Sequence, residues 1–165
     1  MFREGAMLAE EYANVYSNDM DGLEILGYSY VGLNDTNKAI QVYSRAVKLG
    51  DNDSYEPLAG LAVTSGRLDI VQELLPKLMA LKDDRQTPKT GKLHLISILL
   101  VYSMKADKKE IFIKTLDGEN MKEMLQDDVV KLNLTTGCEF FEGQDIDKIR
   151  QEMEAAGKSE AKPPQ

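Results

Sequence analysis

Residues Met20–Asp53 read MDGLEILGYSYVGLNDTNKAIQVYSRAVKLGDND. Leu23, Leu26, Gly27 and Tyr30 fall at i, i+3, i+4 and i+7, which is one face of a helix. The break LNDTN follows, rich in turn formers. Beyond it Ala39, Ile40, Tyr43, Ala46, Val47 and Leu49 again recur at three and four. Gly50 supplies a C-terminal stop, and Lys48 suits the negative end of the helix dipole. Two amphipathic helices joined by a short polar break make an antiparallel hairpin.

The unit recurs along the chain. Tyr55, Leu58, Ala59 and Ala62 form a stripe, then SGRLD breaks it, then Val71, Leu74, Leu75, Leu78 and Leu81 form the next. A third pair is Leu93 to Ala106 and Lys109 to Leu116. A fourth is Asp128 to Phe141 and Asp145 to Ala156, broken at Glu142-Gly143-Gln144. No long segment shows the period-two alternation of a strand, so the fold class is all-α. Pro76 lies inside the fourth stripe and should kink or break that helix, because it lacks the N–H that a helix interior needs. Lys82–Lys92, KDDRQTPKTGK, reads as a long polar loop, either a surface insertion or a lip over a groove.

Composition bounds the function. The chain has 165 residues with 20 Lys+Arg against 28 Asp+Glu, a net charge of -8. That balance argues against nucleic acid, whose binding needs basic surface to displace phosphate counterions. Cys138 is the only cysteine, which excludes an internal disulfide and any cysteine-based zinc cluster. The most apolar run, Leu93 to Tyr102, is too short for a bilayer, which takes about 20 residues. The N-terminal MFREGAMLAEEY carries acids where a signal peptide is apolar. A cytoplasmic protein with no membrane contact is expected. The last residues, 158–165, are polar, end in Pro-Pro-Gln and are expected to be disordered.

A helix-turn-helix unit of about 34 residues is the signature of a tetratricopeptide array. Met20–Asp53 resembles that family closely. Leu23 stands in the Trp slot, Leu26-Gly27 in the Leu-Gly pair and Tyr30 in the Tyr slot. Ala39, Tyr43 and Ala46 match the small, aromatic and small slots, and Asp51 replaces the closing Pro. The resemblance extends less well over Asn52–Arg85, so its close part is residues 20–85. The break residues Asn34, Gly66, Ala106 and Gly143 are 32, 40 and 37 apart, where a strict array keeps one spacing. The resemblance implies a right-handed α-α superhelix, a solenoid of about four antiparallel hairpins plus an N-terminal helix, forming one domain over residues 1–157. In Gly5–Ser17, Ala6, Ala13 and Tyr16 sit where a preceding unit's second helix would place its small, small and apolar residues. That helix is either a cap or part of a longer array.

In such arrays the first helix of each hairpin lines a concave groove. The resemblance therefore implies partner-binding positions at Asp21, Glu24, Tyr28 and Val31, then Asp53, Glu56, Val63 and Thr64, then Ile96 and Leu100. Some family members clamp C-terminal carboxylates with Lys, Arg and Asn. Here the matching positions are Glu24, Tyr28, Glu56 and Gly60, so that clamp is absent and an acidic groove would repel a free carboxylate.

Chemistry is sparse. His94 and Cys138 form a base-nucleophile pair only on paper, since Cys138 takes a small buried slot and no oriented acid follows His94. DNDSYE, Asp51 to Glu56, begins like a calcium loop but lacks its central Gly, and reads as a polar turn with a helix cap. Asp127-Asp128 read as a helix start. No enzyme, metal or cofactor is expected. The expected function is a scaffold that holds a basic-apolar peptide or helix of another protein. The alternative is an assembly subunit that oligomerises or docks through its end hairpin or apolar face.

Overall fold

Short polar side chains decide where the helices begin. The computed structural model describes residues 2–16 and 18–158, and among them are ten α-helices and no strand. They are α1 Phe2–Val15, α2 Met20–Gly32, α3 Thr36–Lys48, α4 Tyr55–Ser65 and α5 Leu68–Asp83, followed by α6 Lys89–Lys105, α7 Lys109–Leu116, α8 Met121–Met124, α9 Asp128–Phe140 and α10 Gln144–Lys158. Asp19 caps α2 by accepting the Gly22 N–H at 2.7 Å. Asp35 caps α3 through Lys38 N–H at 3.2 Å, and Asp127 caps α9 through Val129 and Val130. Each side chain satisfies a donor that the helix start leaves orphaned. The expected disordered tail falls, beyond Lys158, outside the described residues.

Four helices end in one way. Asp35 N–H donates to Tyr30 C=O, Asp51 to Ala46, Arg67 to Ala62 and Lys108 to Ser103. Each bond closes over a left-handed residue: Asn34 at φ 57°, Gly50 at 95°, Gly66 at 77° and Asp107 at 51°. This is the six-to-one closure of a Schellman ending. Asn and Asp tolerate the left-handed region better than other residues with a Cβ, which is why these breaks work without Gly.

The chain divides within α5 into two compact units, one ending at Leu78 and the other beginning at Met79. The sequence was read as one domain over residues 1–157. Pro76 does not break α5, which runs on through it to Asp83. The segment taken as a long loop is correspondingly short: α5 extends to Asp83 and α6 starts at Lys89.

In the first unit α2 packs against α1 and α3. Small residues set the approach on both sides. Ala6, Ala9 and Ala13 of α1 are buried in a core with Leu23, Leu26 and Tyr30. Gly5 lies against Ser29 and Gly22 against Tyr12, so α1 and α2 run antiparallel. Tyr16 is exposed. On the opposite side a Cβ at Gly27 would stand 2.7 Å from the Tyr43 ring. Gly27→Leu should therefore overpack this contact and cost roughly 1–3 kcal/mol, offset by up to about 1 kcal/mol from removing a helical Gly. A melting temperature equal to or above wild type would show that the contact yields freely.

The second unit has its own core, in which Ile96, Leu100, Phe112, Met124, Leu134 and Ile146 are buried together. α6 packs against α7 and α9, and α10 against α8 and α9. Asn133 donates to Ser97 at 2.7 Å, tying α9 to α6. The short α8 has no counterpart in the sequence reading. It is capped by Asn120 and inserts Met124 into this core. Lys82 is buried at 1% side-chain exposure, bonded to Glu119 at 2.8 Å and Asp83 at 2.6 Å, and Lys92 meets Glu119 at 3.0 Å. The lysines flanking the expected lip thus anchor to one carboxylate of the second unit.

Candidate functional site

On α2 the burial pattern separates two classes of residue. Gly22, Leu23, Leu26, Gly27, Ser29 and Tyr30 face inward. Asp21, Glu24, Tyr28 and Val31 are exposed, Tyr28 at 63%. Residues four apart share a helix face, so Glu24 and Tyr28 lie together and Asp21 and Val31 extend the same side. Ile25, 59% exposed, completes it toward α1. The result is an aromatic side chain raised among carboxylates on a rigid helix.

The positions expected on α4 divide. Asp53 is exposed just before the helix and its N–H donates to Asp51 at 3.1 Å. Ser54 takes the cap position of α4, but its hydroxyl donates to Asp51 and makes no cap bond. DNDSYE is thus a turn held by Asp51. Glu56 is half-buried. Thr64 is exposed, and its hydroxyl returns to the carbonyls of Gly60 and Leu61 at 2.9 and 3.1 Å. Val63 is 3% exposed and belongs to the interior. A groove position must reach a partner, so Val63 is removed from the site. Ile96 and Leu100 are removed for the same reason, at 1% and 0% exposure within the core of the second unit. Hydrophobic spacing on α6 cannot tell a lined groove from a core.

The base-nucleophile pair gains no support. Cys138 is a buried free thiol, 3.9 Å from the Met153 sulfur. Burial pushes its pKa up, Arg150 opposing, so it is held as the thiol rather than the reactive thiolate. His94 is exposed on α6. Among the described residues no group of three His, Cys, Asp or Glu could hold a metal ion, and no helix is long and apolar enough to cross a membrane.

Sequence reasoning missed the apolar side of α1. Leu8, Tyr12, Val15 and Tyr16 are all exposed. Their spacing of four, three and one was legible, but it runs beside the alanine stripe on the same helix. Only the packing shows which stripe is inside. Comparison of the chain with family models, with curated proteins and with solved structures gives no match.

Proposed function

We propose that this chain is a protein-binding module whose helical hairpins are of the tetratricopeptide kind, and that it holds a peptide or helix of a partner protein on the exposed face of α2. The exposure of Tyr28 beside Glu24 and Asp21 carries the reading. Tyr is enriched among energetically dominant interface residues, and rim carboxylates steer a basic partner. Two features support the repeat. The hairpin turns at Asn34 and Gly66 close with the same six-to-one bond, 32 residues apart. Gly27 also meets Tyr43 inside its own hairpin, where a repeat needs close approach. A right-handed superhelical stacking of the hairpins is part of the same proposal, as are a non-enzymatic role and a cytoplasmic location.

The test is affinity capture from the native cell with wild type, Glu24→Lys/Glu56→Lys and Tyr28→Ala as parallel baits. A protein held by wild type should associate more slowly with the double variant, and with altered salt dependence. It should leave Tyr28→Ala faster, with a loss of roughly 1–2 kcal/mol in binding. Equal binding to all three baits would move the site off α2. A second reading, the assembly subunit, is favoured by the exposed apolar residues of α1. Sedimentation separates the two, since a defined oligomer of the isolated chain supports assembly.

A further inference from the structure

Among the described residues, the α1–α2 pair presents an apolar groove. Gly22 and Ser29 mark the side of α2 that faces α1, while Gly27 marks the side that faces α3. On α1, Glu10 reaches Lys38 of α3 at 3.6 Å, so the α3 side of α1 is also fixed. Leu8 and Tyr12 lie across the alanine stripe from Glu10. Together with Ala9, Gly22 and Ile25 they line a groove of about 450 Å³, with Asp19 and Asp21 at its end. Leu8 is 67% exposed and Ile25 59%. Adjacent apolar side chains on two antiparallel helices, left in water, are what a third helix covers in a helical protein.

Charge selects the occupant. From Met1 to Leu33 the chain has six acidic residues, Glu4, Glu10, Glu11, Asp19, Asp21 and Glu24, against Arg3 alone. A second copy would bring two such acidic hairpins face to face, and like-charge juxtaposition costs several kcal/mol. The anionic lipid surface of a membrane is disfavoured for the same reason.

We propose that the groove between α1 and α2 docks an amphipathic helix of a partner protein, with Leu, Ile or Phe on one face and Lys or Arg along its flanks. Its apolar face covers Leu8, Tyr12 and Ile25, and its cations meet Asp19 and Asp21. Anchors at i, i+3 or i+4 and i+7 fit such a groove. The site shares Asp21 and Ile25 with the α2 face proposed above and extends beyond it onto α1, so the single variant Leu8→Lys, outside that face, tells the two apart: lost peptide binding supports the groove, and unchanged binding overturns the groove alone.

The probe is a fluorescent synthetic peptide of about 18 residues, helical, with Leu on one face and Lys on the other. Fluorescence anisotropy on the full chain should give micromolar binding. A peptide of the same composition with scrambled order should bind at least about tenfold more weakly, as a seat for an apolar face requires. Leu8→Lys/Ile25→Lys should lose at least about tenfold, and its thermal melt should stay at wild type because both side chains are exposed. Gln41→Ala/Lys48→Ala, exposed on α3 and outside both surfaces, should stay within about twofold. Wild-type affinity in Leu8→Lys/Ile25→Lys, or no preference for the ordered peptide, overturns the proposal. So does a wild-type dimer in sedimentation that Ile25→Lys dissolves, which would give the groove to a second copy. Co-sedimentation with phosphatidylcholine vesicles that Ile25→Lys abolishes would give it to a lipid surface and overturn the proposal as well.

Discussion

Gly137→Ala should destabilise the second unit by about 2–3 kcal/mol, although it replaces Gly in a helix with the best helix former. The added methyl would overlap Phe112 Cε2 and stand 2.6 Å from Cζ. Phe112 is fully buried and packs on Phe141 with ring centroids 5.3 Å apart, so its ring has no free space to enter. A well-packed core meets such an insertion with strained rotamers and backbone shifts. At roughly 4 °C or more per kcal/mol for a unit of this size, the melting temperature should fall by about 10 °C. Phe112→Leu makes room at the contact and costs stability by itself. In the double variant the losses should fall short of their sum by about 1 kcal/mol. Additive losses would show that the methyl and the ring do not meet.

Glu119→Ala should cost about 3 kcal/mol, because it leaves the buried Lys82 ammonium with Asp83 alone and strips Lys92 of its partner. Burial pulls the Lys82 pKa down, but the hydrogen bonds to Asp83 and Glu119 more than offset it, and the net shift is upward from 10.5. A raised lysine value means that the folded state holds the proton more tightly than the unfolded chain. The stabilisation is therefore complete below the ordinary lysine value and disappears only as pH rises through the raised one. Urea denaturation should show the Glu119→Ala deficit undiminished at neutral pH and shrinking at strongly alkaline pH. Replacing the pair together, Lys82→Met/Glu119→Leu, leaves neither buried charge without the other and should cost less than Glu119→Ala alone. A Glu119→Ala deficit no larger than that of the double variant would mean that the ammonium escapes to water.

Helices are local, and the sequence determined them almost completely. Hydrophobic spacing located nine of the ten helices, and Asn34, Gly50, Gly66 and Gly143 marked breaks that carry left-handed backbone. These features depend on residues within a few positions of one another, which a linear reading contains. The four-residue α8 was beyond it, because MKEM is too short to show a period and its place is fixed by Met124 entering a core. Of the two outcomes that propensity allows at Pro76, a kink or a break, the break does not occur, since α5 is helical to Asp83.

At the candidate site, the α2 face follows from helical spacing alone. Asp21, Glu24, Tyr28 and Val31 had to be exposed once Leu23, Leu26, Gly27 and Tyr30 faced inward. Only the tertiary structure decided that Val63, Ile96 and Leu100 are buried, that Leu8 and Tyr12 are not, and that Lys82 meets Glu119. The physical reason is that periodicity reports which residues share a face. Whether that face meets water, another helix or a distant carboxylate depends on neighbours that lie far away in the chain.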